Sequence, residues 1–350
     1  MKVGFGAASA LSAGVLFGAS TPLAKRLILD VDPWMLAGLL YLGSGIGLCA
    51  INFVRRLARG SDSVVAPFRT AERCWLAAAI LAGGVVAPVL MMYGLRDTAA
   101  SSAALLLNLE GVFSVLLAWF VFHENFDRRV AFGVLAIGAG AVILSAEGGM
   151  TISSAAGPAA IAGACLCWAL DNNLTRKVAL NDVARIAMLK GIAAGAVNVT
   201  IAVLLGSSLP RASVILAAGA VGCIGYGLSL VLFVLGLRHL GAARTSAYFS
   251  IAPFVGAVIA VVFFDDHLTA QLLGAGALMS IGLWLHLSER HDHEHTHARL
   301  THDHRHVHDE HHQHQHGPDA GSTPHSHPHT HEPLRHAHPH YPDEHHRHVH

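Results

Sequence analysis

Ten apolar runs, each long enough to cross a lipid bilayer, leave this chain few folds to choose from. They cover roughly residues 3–27, 33–53, 74–95, 99–122, 130–147, 156–178, 183–205, 212–237, 242–264 and 270–288. A hydrocarbon core about 30 Å thick takes about 20 residues of helix but only about 10 of strand. Lipid offers no partner to a free N–H or C=O, so runs of this length are expected as helices that bond their own backbone. Composition agrees. Of 350 residues, 53% are hydrophobic and 13% charged, about half the charge share of a soluble domain. With lipid on all sides, glycines such as those of Gly14-x-x-x-Gly18 and Gly43-x-Gly45-x-Gly47 are expected to let helices approach closely.

The distribution of positive charge gives an orientation. With the N-terminus in the cytoplasm, the inside receives Lys2, Arg55, Arg56, Arg59, Arg69, Arg73, Arg128, Arg129, Arg176, Lys177, Arg185, Lys190, Arg238 and Arg244. The outside receives Lys25, Arg26, Arg96 and Arg211. Fourteen against four follows the positive-inside bias, and ten crossings return the C-terminus to the cytoplasm.

The chain also matches itself. YGLRDTAASSAALLLNLEGVF, 93–113, aligns without gaps with LGLRHLGAARTSAYFSIAPFV, 235–255, at an offset of 142. Glu124 meets Asp266, and near the start Phe17, Leu23, Lys25 and Arg26 meet Trp168, Leu174, Arg176 and Lys177. Runs one to five therefore repeat as runs six to ten. Five is odd, so the halves enter the membrane from opposite sides, an arrangement that recurs in secondary transporters with the substrate site at the seam.

Two such halves, with FGASTPLAK opening one and EGVF…HE closing it, resemble the EamA-like branch of the drug/metabolite transporter superfamily over about residues 3–288. The resemblance implies a ten-helix carrier of small metabolites in a bacterial-type inner membrane, with a central cavity between the halves. The Glu-Pro pair frequent in the family's fourth and ninth helices is split here. Glu110 precedes Gly111, and Pro253 follows Ala252. The expected organisation is thus an all-α polytopic membrane protein: one five-helix repeat in 1–148, an inverted copy in 149–288, and a tail from 289 to 350.

Polar residues inside the runs are the candidate site. Asp171 lies about nine residues before the turn near Leu180-Asn181, and Lys190 about nine after it. At 1.5 Å per residue both sit roughly 13–14 Å from the cytoplasmic end, at a depth where they can pair. A lone charge at the bilayer centre costs about 3 kcal/mol or more, so charges there pair or face water. The matching positions of the first half hold the neutral Ser20 and Tyr41. Asp171, Asn172, Asn173 and Lys190 are therefore expected to line the cavity and touch substrate. The competing reading is a structural pair near the interface, with Lys190 snorkelling. Asn108 and Glu110, midway along the fourth run, are further cavity candidates, and Glu110 is a carboxylate that could carry a proton. Trp168, Tyr226 and Tyr248 are candidates for packing against substrate or within the core. Pro22 and Pro88 should kink their helices.

The tail carries 23 of the 27 histidines. With His alternating with polar residues and no apolar face, it is expected to be disordered. His291, His293, His295, His297, His302, His304, His306, His308, His311, His312, His314 and His316 are candidate ligands for zinc, nickel, cobalt or copper ions. The membrane runs hold few groups of that kind, so metal transport stands second to metabolite export. The five cysteines (Cys49, Cys74, Cys165, Cys167, Cys223) lie in or beside apolar runs and read as packing rather than disulfides. No nucleophile motif, phosphate loop or HExxH helix supports an enzyme. A net charge of zero gives nucleic acid no footprint. The partners expected are the bilayer, a small-molecule substrate and metal ions at the tail.

Overall fold

A computed structural model describes residues 2–59, 70–122, 128–146, 152–176, 178, 183–240 and 242–287 of the body. In the tail it describes 292–297, 300–306, 325–331 and 334–339. Glu124, the turn at Leu180-Asn181, His291, His308, His311, His312, His314 and His316 lie outside the described residues. The chain divides into two units, Met1–Leu287 and Ser288–His350.

The regular structure of the first unit is helical. Helix α1, Lys2–Leu27, contains Pro22 in its interior. Helix α2, Pro33–Arg59, starts where the sequence says a helix should. Asp32 accepts from the backbone N–H groups of Trp34 (3.0 Å) and Met35 (3.4 Å), and Pro33 opens the first turn. The third run is longer than expected and is not uniform. Helix α3, Thr70–Ala79, passes into a π-helical turn, Ile80–Val86, and continues as α4, Ala87–Asp97. Pro88 falls in the first turn of α4, directly after the π turn. The fourth run is two helices, α5 (Ala100–Leu106) and α6 (Leu109–Phe122), and α7 is Arg128–Ser145.

The second half follows the same plan. Helices α8, Ile152–Arg176, and α9, Val183–Leu204, are continuous. Helix α10, Ala212–Val221, passes through a π turn, Gly222–Leu228, into α11, Ser229–Leu240. The ninth run divides into α12 (Ala242–Phe249) and α13 (Ala252–Phe263), and α14 is Ala270–Leu287. The two π turns begin at Ile80 and Gly222, 142 residues apart, the spacing of the sequence self-match. The break after Leu106 is likewise answered by one after Phe249.

Among the described residues, nine helical stretches are long and apolar enough to cross a membrane. Helix α8, 25 residues long, occupies the place of the sixth run. The main contacts join one half to the other: α2 with α9, α7 with α14, α4 with α8 and α1 with α11. Glycine makes the first of these close. A Cβ on Gly195 would lie 2.6 Å from the Leu42 backbone nitrogen, and one on Gly45 would lie 2.6 Å from that of Ile192. The interior is filled by Met35, Leu36, Leu40, Met92, Leu95, Ile137, Ile161 and Met279, all fully buried. Phe132, Leu135, Val142 and Trp284 stand exposed on the outside, as a lipid-facing surface requires. All five cysteines are free, and the buried Cys165 thiol donates to the Leu106 carbonyl at 3.7 Å.

The tail departs from the expected disorder where it is described. Strands β1 (Asp292–His297) and β4 (Leu334–Pro339) pair antiparallel, as do β2 (Leu300–His306) and β3 (His325–His331). Alternation of His with other residues has the period of a strand. The register sets His302, His304 and His306 opposite His329, His327 and His325.

Candidate functional site

The Asp171–Lys190 pair is present. Helix α8 carries Asp171, which is 6% exposed, and α9 carries Lys190. The ammonium lies 2.5 and 2.6 Å from the two carboxylate oxygens. Thr175, one turn beyond Asp171, donates to the same carboxylate at 3.0 Å and accepts from Lys190 at 3.3 Å. Two charges taken out of water are tolerable only when paired and hydrogen-bonded in this way.

The other candidates divide. Asn172 points away from the pair and donates to Glu110 Oε1 of α6 at 2.7 Å. That contact joins the halves and brings Glu110 into the set. Asn173 turns back on its own helix, its amide donating to the Ala169 carbonyl at 2.8 Å. Asn108 is buried at the α5–α6 break, where its amide donates to the Leu105 carbonyl (2.8 Å) and to Met279 Sδ (3.9 Å).

The structure adds a component that the sequence did not reveal, the π turn Ile80–Val86. A π turn inserts a residue into the helical ladder and loosens carbonyls from their usual partners. Tyr41 (α2) donates to the Gly83 carbonyl at 2.7 Å, and Trp168 (α8) donates to it at 3.0 Å. Asn198 (α9), fully buried, donates to the Gly84 carbonyl at 3.1 Å. Gly83 itself lies flat against Asp171, and an added Cβ there would run into the carboxylate. One turn of backbone thus touches the charged pair and is held by three side chains from three helices. An aromatic chain continues beside it, with ring centroids 6.0 Å apart for Tyr41–Tyr226, 5.7 Å for Phe17–Tyr226 and 5.4 Å for Phe17–Phe249. Asn198 was legible only as an amide in the middle of an apolar run. Nothing in ILAGGVV marks a π turn.

At the other end of the same helices, Lys25 donates to the carbonyls of Leu95 (2.6 Å), Arg96 (3.0 Å) and Thr98 (2.9 Å). It closes the C-terminus of α4, where a cation is favoured.

The model of the EamA-like transporter family matches this chain twice, over residues 4–146 and 155–288. The chain belongs to the EamA-like transporter family. It is therefore a multi-pass membrane transporter of the drug/metabolite type, and nothing in the family points to catalysis. An uncharacterized transporter of Methanothermobacter thermautotrophicus is 27% identical over 295 residues, covering 80% of this chain and 85% of that protein. The uncharacterized transporter YyaM of Bacillus subtilis is 24% identical over 196 residues, covering 53% and 64%. A solved crystal structure shares the fold with a TM-score of 0.59 at 22% identity, covering 80% of this chain and 95% of its own.

Proposed function

We propose that this EamA-like transporter is a secondary exporter of a small polar metabolite. On this reading ten spans form two inverted five-helix repeats, with both termini in the cytoplasm. The halves rock about a site at their seam, built from Asp171, Lys190, Asn172 and Glu110, with Glu110 available to carry a proton. The observation that carries the reading is the Asn172–Glu110 bond beside the Asp171–Lys190 pair. These are charged and amide groups from both halves, set within largely apolar membrane helices. Asn173 and Asn108, bonded to nearby backbone carbonyls, contribute to positioning and not to substrate contact. The test compares a null strain carrying wild-type protein, Asp171→Asn or Lys190→Gln, with metabolite release scored at matched membrane abundance. Both variants are expected to abolish release. Wild-type release by either would end the reading.

A second reading, movement or sensing of nickel, cobalt or zinc, is favoured by the strand register of the tail, which sets histidines opposite one another. Cell metal content of the null strain carrying the full chain, against a chain ending at Leu287, tests it. Equal metal content in the two strains would dismiss a role for the tail.

A further inference from the structure

The two π turns occupy equivalent places and both pack against neighbouring helices, yet their glycine carbonyls are held very differently. Ile80–Val86 receives three donors from outside its own rod: Tyr41 and Trp168 on the Gly83 carbonyl, and Asn198 on that of Gly84. Gly225 is the counterpart of Gly83, 142 residues on. Among the described residues its carbonyl receives one side-chain donor, the Ser229 hydroxyl at 2.5 Å, which belongs to the same rod.

The sequence explains the difference. Trp168 corresponds to Phe17, at an offset of 151 residues, and a phenyl ring donates nothing. Tyr41 corresponds to Lys190, at an offset of 149, and that ammonium is committed to Asp171. Asn198 corresponds to Cys49 at the same offset of 149, and a thiol is a weak donor. Each of the three donors is thus lost or diverted in the other half.

We propose that Tyr41, Trp168 and Asn198 are positioning residues that immobilise the first π turn against Asp171, and that Gly222–Leu228 is the turn that opens during transport. A carbonyl held only from within its own rod can exchange partners as the rod bends. The Gly83 carbonyl, tied to α2 and α8, and the Gly84 carbonyl, tied to α9, cannot do so without breaking bonds to those neighbours. The division of labour suits a carrier in which one turn keeps the charged pair in place while the other yields. The proposal needs only that the chain is a transporter of this family, and it stands or falls apart from the identity of the substrate.

Hydrogen exchange of the full chain in lipid nanodiscs, read by mass spectrometry, tests it. Amides of 222–228 are expected to exchange about tenfold or more faster than those of 80–86. Tyr41→Phe, Trp168→Phe and Asn198→Ala combined should bring 80–86 up to the rate of its counterpart. Phe17→Trp, which places an indole N–H where Trp168 has one, should slow 222–228. Cys223 gives an independent readout, because it lies inside the second turn with its sulfur against Gly47. With the other four cysteines replaced by alanine, its capture by a maleimide should slow in the Phe17→Trp background. Equal exchange in the two turns, faster exchange at 80–86, or an unchanged Cys223 rate would overturn the proposal. The wild-type comparison and Phe17→Trp keep the test decisive even if the triple variant fails to fold.

Discussion

Gly83 and Gly225 sit at the same point of two equivalent helices, and what each one faces differs. Gly83 lies against Asp171, and Gly225 lies against Ser20, with an added Cβ falling 2.7 Å from the Ser20 Cβ. By the self-match, Ser20 is the counterpart of Asp171 and Tyr41 that of Lys190. The backbone approach is therefore common to both halves, while the ion pair belongs to one. The fold needs a glycine opposite a small or polar side chain at this point and does not need charge. A charged pair that the architecture can do without has to be explained by what the molecule does.

The largest expected effect tests that inference directly. Asp171→Ser installs the first half's residue but leaves the Lys190 ammonium, 17% exposed, without its carboxylate. Removing one partner of a buried pair costs about 3–5 kcal/mol, and the thermal unfolding midpoint in detergent should fall accordingly. Adding Lys190→Tyr makes the site a copy of its counterpart, and most of the loss should return. If the double variant is as unstable as the single one, the pair is structural and the comparison fails. A double variant that folds but no longer transports would separate the pair's function from its contribution to stability.

The next effect sharpens the comparison at the glycines. Gly83→Ala drives a methyl group into the Asp171 carboxylate and must move it away from Lys190. Gly225→Ala meets first the Cβ of Ser20 and then, at 3.5 Å, the Leu16 carbonyl and, at 3.6 Å, the Ser20 hydroxyl. Overpacking of the second kind costs about 1–3 kcal/mol. Gly83→Ala should cost more, and it should lose transport at a stability where Gly225→Ala keeps it. Equal losses in melting midpoint and metabolite release would mean that the ion pair adds nothing to the close approach.

How much of this could be read beforehand follows from which physical signal each feature leaves. Run lengths were visible because lipid demands about 20 apolar residues per helix. The ion pair was visible because two charges in apolar runs stood equally far from one turn. The breaks inside the fourth and ninth runs were hidden, because length and apolarity are unaffected when a helix stops at Leu106 and restarts at Leu109. The π turns were hidden for a related reason. One extra residue in the ladder leaves hydropathy unchanged, and ILAGGVV and GCIGYGL share only a small-residue bias. Asn108 stayed open because a polar residue in mid-membrane has two uses, and sequence does not tell a cavity lining from a side chain bonded to its own helix. The tail was expected to lack structure because it has no apolar face. Its alternation nonetheless has a strand's period, and that is the feature the β1–β4 and β2–β3 ladders express.

The smallest expected effect concerns the hydroxyl of Ser229. Its bond to the Gly225 carbonyl runs back along its own helix, a contact that stabilises little and often accompanies a bend. Ser229→Ala should therefore lower stability by less than about 1 kcal/mol. Asn198→Ala, which takes a fully buried donor away from the Gly84 carbonyl, leaves that oxygen uncompensated and should cost about 1–3 kcal/mol. The cost is moderated because Asn198 Oδ1 is itself buried without a partner, so the substitution also removes an unsatisfied acceptor. Melting midpoints of the two variants in one detergent decide the matter. If Ser229→Ala proves the more damaging, the carbonyl of the second π turn is held by its own helix more firmly than those of the first are held by three neighbours, and the contrast between the two halves has to be reversed.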